Sequence, residues 1–199
     1  KPMYPVLGRP FLEWVVRYFV RQGLRRFVLS TGYRAQLIEQ HFAITPVPGA
    51  TVVCVRETEP LGTAGGFLNA SVGSGFTPPI WLVANGDSLV LGGVAEMLTE
   101  PLSGVRGGAL LGLALPDAAR FGTLDTMADG RLIRFAEKRP GAGLINAGVY
   151  AFRADILARF PTKRPLSFEV EVFPLLLQQG WRLNVTTCHA PFIDIGTET

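Results

Sequence analysis

Apolar positions recur with two different rhythms along the 199-residue chain. Phe11-Leu12, Val15-Val16 and Phe19 fall at helical spacing, and this predicts a helix that Pro10 opens and Gly23 closes. Lys1 to Pro10 is punctuated by Pro2, Pro5, Gly8 and Pro10 and reads as a loop. Phe27-Val28-Leu29-Ser30 predicts a short buried strand, Arg34 to Phe42 a second helix, Thr51 to Val55 a second strand and Ala64 to Val72 a third helix. Ile80 to Ala84 is then a continuous apolar run that breaks into Asn85-Gly86-Asp87, as a strand buried on both faces would. Strands alternating with helices predict right-handed βαβ units and a parallel sheet.

The rhythm changes in the second half. Leu91 to Glu100 predicts a helix, but Gly108 to Leu115, Gly122 to Thr126, Arg131 to Ala136 and Leu144 to Phe152 are strand-like. Asp129-Gly130 is a hairpin signal between two of these runs. Ala154 to Phe160 and Phe168 to Gln179 predict helices, followed by strands over Arg182 to Cys188 and Phe192 to Ile195. There is no internal repeat and no low-complexity linker. The expectation is one domain over 1–199, a Rossmann-like three-layer α/β/α fold of the GT-A kind with a mainly parallel mixed sheet.

Composition narrows the field. The chain is 48% hydrophobic and only 18% charged, which favours a large buried sheet over disorder. No apolar stretch approaches the roughly 20 residues that span a bilayer, and no signal segment opens the chain. Cys54 and Cys188 lie in predicted strands without metal-ligand spacing, so they read as reduced core residues of a cytoplasmic protein. The net charge of +3 rests on scattered arginines, and three lysines supply the rest of the basic residues. No basic stripe suits a nucleic acid. His41 and His189 have no sequence partner and read as structural.

Two stretches carry chemistry. Asn85-Gly86-Asp87 by itself reads as a turn. Its place at the carboxyl end of a strand, where α/β sheets bind ligands, gives Asp87 a second reading as a ligand for a hard cation such as Mg²⁺. Glu57 to Gly66 joins a strand to a helix, and three of its ten residues are glycine. It is neither a Walker loop nor a dinucleotide fingerprint. Its composition fits a plain βα turn, and equally a loop whose backbone approaches an anionic ligand beside a helix N-terminus.

Glu59-Pro60-Leu61-Gly62-Thr63-Ala64-Gly65 followed by a strand ending in Asn85-Gly86-Asp87 resembles the sugar-1-phosphate nucleotidyltransferases. Phe135-Ala136-Glu137-Lys138, Leu144 to Tyr150 and Phe192-Ile193-Asp194-Ile195-Gly196-Thr197 follow in that family's order. Lys1-Pro2-Met3 with Pro5-Val6 resembles the segment behind its glycine-rich signature, so the likeness covers essentially the whole chain. Phe121-Gly122-Thr123 and Ser167-Phe168-Glu169 are most similar to the heptose 1-phosphate guanylyltransferases, with the mannose-1-phosphate guanylyltransferases next.

The resemblance implies transfer of a nucleoside monophosphate, GMP first among the choices, from a triphosphate to a sugar-1-phosphate, with release of pyrophosphate. It implies Mg²⁺ held by Asp87 and Asp194, and Lys1 on the triphosphate. Glu57, Pro60, Gly62, Thr63, Asn85 and Gly86 would face the nucleotide, with Glu57 accepting from guanine N1–H and N2–H₂. Gly122, Glu137, Lys138 and Asn146 would face the sugar phosphate, with Lys138 neutralising it. Asp87, Lys1 and Lys138 would carry the catalysis. Ser167 and Glu169 read as an N-cap and first-turn acid.

In that family a Gly-Gly-x-Gly-Thr-Arg loop precedes the Lys1 segment and a final helix follows the Thr199 position; neither lies in these residues. A natural protein that began at Lys1 would be expected to be inactive. A thymidylyl-, uridylyl- or cytidylyltransferase and a non-catalytic sugar-nucleotide sensor are the alternatives. The partners implied are a nucleoside triphosphate and a sugar-1-phosphate, without nucleic acid or membrane, and homo-oligomerisation is left open.

Overall fold

The computed structural model describes residues 1–99, 106–136 and 140–196. The predicted opening loop holds a two-residue ribbon, β1 (Pro5–Val6) against β2 (Arg9–Pro10). Helix α1 (Phe11–Arg21) follows, burying Phe11, Leu12, Val15, Val16 and Phe19, the residues whose spacing predicts it. Gly23, at φ +96°, turns the chain beyond its end. Strand β3 (Arg26–Thr31), helix α2 (Ala35–Ile44) and strand β4 (Thr51–Arg56) form a parallel βαβ unit. Helix α3 (Thr63–Gly73) then leads to β5 (Ile80–Ala84).

At β5 the expectation of a mainly parallel sheet fails. β5 pairs antiparallel with β10 (Gly143–Arg153), from Ala84 opposite Val149 to Ile80 opposite Arg153. β10 also runs antiparallel to β7 (Arg106–Leu115) and to β8 (Thr123–Thr126), and β8 to β9 (Leu132–Ala136). Among the described strands only β3–β4 and β7–β11 (Arg182–Cys188) are parallel pairs. The short Asp129-Gly130 turn accounts for the antiparallel β8–β9 pair, whereas β5 and β7 meet β10 antiparallel across long intervening stretches of chain.

Helix boundaries shift for local reasons. Gly93 at φ +77° delays the predicted Leu91–Glu100 helix to α4 (Val94–Thr99). Ala154–Arg159 tightens to a 3₁₀ helix. The predicted Phe168–Gln179 helix begins as a π-turn over Phe168–Val172 and continues as α5 (Phe173–Gln178). Pro174 near its start has no N–H to offer a regular ladder.

The strand alternation builds the three layers. Ala109, Leu111 and Leu113 of β7 and Ile145, Ala147, Val149 and Ala151 of β10 pack with Phe11, Val15 and Phe19 of α1 and Val94 and Met97 of α4. The intervening residues Leu110, Tyr150 and Phe152 face the opposite layer, with Phe67 of α3 and Phe173 and Leu176 of α5. Phe152 stacks on Phe168 at 5.5 Å and 9°. Both faces of the central strands are therefore buried, which is why they read as apolar runs.

One irregularity in β10 matters for function. Asn146 lies opposite Gly112 and Tyr150 opposite Leu110, so four steps on β10 match two on β7. This bulge turns at Gly148, whose φ is +69°. A Cβ there would also stand 2.3 Å from Asn85 Nδ2, so glycine is required on both counts.

Candidate active site

Past the end of β5 the chain turns into β6 (Ser88–Val90), which pairs antiparallel with β12 (Phe192–Asp194). The register puts Asp194 opposite Ser88, and Ile195 N–H donates to the Asp87 carbonyl at 3.0 Å. Asp194 Oδ1 accepts from Gly196 N–H at 2.7 Å. A Cβ on Gly196 would lie 3.0 Å from both Asp194 Oδ1 and Asp87 Oδ2, so the two oxygens are within about 6 Å of each other. The Lys1 ammonium donates to the Gly196 carbonyl, which brings the third predicted residue to the same corner.

Among the described residues no three His, Cys, Asp or Glu side chains gather as a metal cage. A carboxylate pair is nevertheless what a hard cation needs when phosphate oxygens and water complete its shell. The donor chemistry of Asp87 and Asp194 fits Mg²⁺.

Two cavities meet at this corner. The larger, about 930 Å³, is a cleft between β3 and β5 whose lining includes Glu57, Gly62, Thr63, Asn85, Gly86 and Asp87. The smaller, about 260 Å³, is lined by Asn85, Asp87, Asn146 and Asp194, with Phe121 and Phe192. Asn85 and Asp87 thus border both. Pro60 is exposed on the loop that approaches the larger cleft.

The Glu57–Gly66 stretch is shaped by its own chain more than the sequence suggests. Glu57 Oε1 accepts from Ser30 Oγ at 2.8 Å and Oε2 from Leu61 N–H at 3.2 Å. A Cβ on Gly66 would meet Glu57 Oε1 at 2.5 Å. The carboxylate therefore clasps the loop it begins and ties it to Ser30 of β3. Gly62, at φ +77°, has the Leu166 backbone where a side chain would be, its oxygen 2.6 Å from an added Cβ. The N–H groups of Ala64 and Gly65 both donate to the Leu166 carbonyl, at 2.9 and 3.1 Å. Thr63 Oγ1 accepts from Phe168 N–H at 3.1 Å. These glycines permit close approach, as their pattern implies, but the approaching group is the 164–168 segment.

On the opposite side, Asn146 Oδ1 accepts from Gly148 N–H at 3.1 Å across the bulge. Its Nδ2 donates to Tyr150 Oη at 2.7 Å, and that hydroxyl donates to Glu169 Oε1 at 3.0 Å. Ser167 Oγ donates to Glu169 Oε2 at 2.9 Å while accepting from Val170 N–H as the predicted N-cap. Burial pushes the Tyr150 pKa well above the ordinary phenol value, and the nearby Glu169 charge pushes the same way. Sequence reasoning missed this network, because Glu169 taken alone fits a first-turn acid. Gly122 follows the lining residue Phe121 and lies beside Ala136, with 3.6 Å from an added Cβ to the Ala136 carbonyl. Glu137 and Lys138, placed on the sugar phosphate by resemblance, lie outside the described residues.

His41 also has a partner that the sequence did not name. Its Nε2 lies 2.8 Å from Oε2 of Glu13, a wholly buried carboxylate whose other oxygen accepts from Arg9 and Arg17, each at 2.7 Å. Burial raises the Glu13 pKa, but the bonds from Arg17, His41 and Arg9 outweigh it, and the net shift is downward. The group ties α1 to α2 and to the residues that follow Lys1.

Comparison with known proteins gives a consistent outcome. A family model described as nucleotidyl transferase matches residues 1–198. The mannose-1-phosphate guanylyltransferase of Mycobacterium tuberculosis is 34% identical over 182 residues, covering 90% of this chain and 50% of that protein. The D-glycero-alpha-D-manno-heptose 1-phosphate guanylyltransferase of Aneurinibacillus thermoaerophilus is 32% identical over 198 residues, covering 98% and 84%. The chain thus spans about half of the first relative and most of the second. The crystal structure of HddC from Yersinia pseudotuberculosis complexed with GMP-PN superposes with a TM-score of 0.86 at 30% identity, covering 98% of this chain and 84% of that one.

Proposed function

The chain belongs to the nucleotidyl transferase family, and on that premise we propose that it transfers GMP from GTP to a heptose- or mannose-type sugar-1-phosphate, releasing pyrophosphate. The observation that carries this reading is the position of Asp87 on the seam between two cavities. A group transfer between two bound phosphates needs such a seam: one ligand on each side, with the reacting atoms meeting at it. The names of the relatives and the bound GMP-PN of the structural neighbour support the guanine choice.

In this reading the nucleotide takes the larger cleft, beside Glu57, Pro60, Gly62, Thr63, Asn85 and Gly86. The sugar phosphate takes the smaller cavity, beside Asn146 and Gly122, with Glu137 and Lys138 completing that side. An oxygen of the sugar phosphate attacks the α-phosphorus. The bond from that phosphorus to the bridging oxygen breaks, and its electron pair leaves with pyrophosphate. The nucleophile is already an anion, so no strong base is required. The residues have to align the two phosphates and relieve their repulsion.

Asp87 and Asp194 would hold Mg²⁺, in a family that generally uses a divalent metal; when bound, the ion neutralises phosphate charge at the seam. Lys1, fixed through the Gly196 carbonyl, adds a point charge for the triphosphate. Glu57 has one oxygen engaged by Ser30 of β3 and the other by Leu61 of the loop, and each carboxylate oxygen has a further lone pair with which to accept from guanine N1–H and N2–H₂.

The test is Mg²⁺-dependent pyrophosphate release by the intact natural protein, with GTP, UTP, CTP, TTP and ATP against hexose- and heptose-1-phosphates. Release with GTP and one sugar phosphate is expected. Silence across the panel from a folded protein that binds a nucleotide sugar would leave a sensor on the same fold as the better account.

A further inference from the structure

The residues Asn146, Tyr150 and Glu169 form a hydrogen-bond chain whose direction is forced. An ionised carboxylate can only accept, so the Tyr150 hydrogen goes to Glu169 Oε1. The Tyr150 oxygen is then left to accept, and Asn146 must turn its NH₂ toward it, with a longer second bond from the same nitrogen to Glu169 Oε1 at 3.4 Å. At the other end the backbone N–H of Gly148 can only donate, so it demands the Asn146 carbonyl oxygen. Both ends require the same orientation of the amide. Its nitrogen is drawn into the wall, and Oδ1, which accepts once from Gly148, retains a second lone pair in a residue that lines the small cavity.

The chain is also stiff. Tyr150 is 1% exposed, and its ring packs against Phe168 at 5.1 Å and Phe173 at 5.0 Å. Glu169 is held from its other oxygen by Ser167. The segment that carries Glu169 is fixed to α3 through Thr63 and Phe168. Glu169 lines the larger cleft and Asn146 the smaller, so the chain crosses the wall between them.

We propose that Glu169 is a positioning residue that acts chiefly through Tyr150, and by its own longer bond to the amide, to present Asn146 as a fixed hydrogen-bond acceptor for one hydroxyl of the sugar. The pair sets which ligand hydroxyl must donate, and so discriminates between sugars. This deepens the sugar-phosphate reading of the small cavity and rests on it.

The experiment compares the accepted sugar-1-phosphate with analogues in which one hydroxyl at a time is replaced by fluorine, which cannot donate. In the intact natural protein one position should show an increase in KM of about tenfold, the scale of a lost hydrogen bond to a fixed acceptor. In Tyr150→Phe, which keeps the ring packing, and in Glu169→Ala, that ratio should fall to within about twofold of unity. Glu169→Gln, which retains an acceptor oxygen for Tyr150, should restore it. A purely structural role would raise every KM together and leave the ratio unchanged. An unchanged ratio in Tyr150→Phe and Glu169→Ala, with wild type active, overturns the inference alone. A wild-type protein that accepts no sugar phosphate overturns the functional reading and this inference with it.

Discussion

Asp87 and Asp194, more than a hundred residues apart in sequence, each place a carboxylate oxygen 3.0 Å from one point above Gly196. The β6–β12 ribbon creates this meeting by setting Asp194 opposite Ser88. Glycine at 196 is what lets the two oxygens face one another without a methyl group between them. Gly196→Ala should therefore spread the pair and raise the Mg²⁺ concentration needed for half-maximal turnover by about tenfold or more, with little change in Tm. Asp87→Asn should lower turnover by about a hundredfold or more, and adding Asp194→Asn should cost little beyond that, because the two act as a unit. Magnesium titrations of turnover check both. An unaltered Mg²⁺ requirement in Gly196→Ala would remove the metal assignment.

Glu57→Gln separates loop folding from base reading. Ser30 Oγ already lies 3.1 Å from the Gly66 carbonyl, so its hydrogen has another acceptor when the carboxylate becomes an amide. The loop should hold and Tm should scarcely move. Preference for GTP over UTP should fall by about tenfold, since the paired acceptor for N1–H and N2–H₂ is lost. Competition between the two nucleotides measures this directly; an unchanged preference would assign Glu57 to the loop alone.

Gly62→Ala tests the stitch between the loop and residue 166. A Cβ there would stand 2.6 Å from the Leu166 oxygen, and the backbone sits at φ +77°. Both effects oppose the side chain, and a loss of about 2 kcal/mol or more is expected. Urea denaturation would report it. A loss near zero would mean that the 164–168 segment yields easily.

The Glu13 cluster makes the fold sensitive to acid. Folding lowers the Glu13 pKa, so the ionised form stabilises the protein above the ordinary glutamate value of about 4.3. That contribution is lost as pH falls through the lower folded value. Glu13→Gln should flatten this part of the stability curve, and Glu13→Ala, which leaves three cationic or polar partners around a buried gap, should cost about 3 kcal/mol. Stability measured between pH 3 and pH 7 tests the sign: equal slopes in wild type and Glu13→Gln would contradict it.

Much of this was legible in the sequence because the signals were local. The spacing of Phe11, Val15 and Phe19 marks a helix face whatever it packs on. The apolar runs of β5, β7 and β10 mark strands covered on both sides. The place of Asp87 just beyond β5 was legible because Asn85-Gly86 marks where the apolar run stops. The partner of β5 was not, since a run buried on both faces fits a parallel or an antiparallel neighbour equally well. Gly62 announced a close approach but not what approaches, because Leu166 is brought there only by tertiary folding. Glu169 was hidden for the same reason: its role depends on a tyrosine nineteen positions away in another element. Arg9, just ahead of α1, and Glu13 and Arg17 on it follow one another at four-residue spacing, yet nothing local joins them to His41.

The bulge in β10 also acts as a safeguard on assembly. A one-residue slip of this strand would send Tyr150 and Phe152 into the layer filled by Ala151 and Val149, and drop those small residues into the aromatic one. The same slip would carry Asn146 out of the small cavity and Gly148 away from Asn85. A misthreaded sheet could therefore satisfy neither its packing nor its chemistry, so turnover by this protein would itself certify that its central strand is in register.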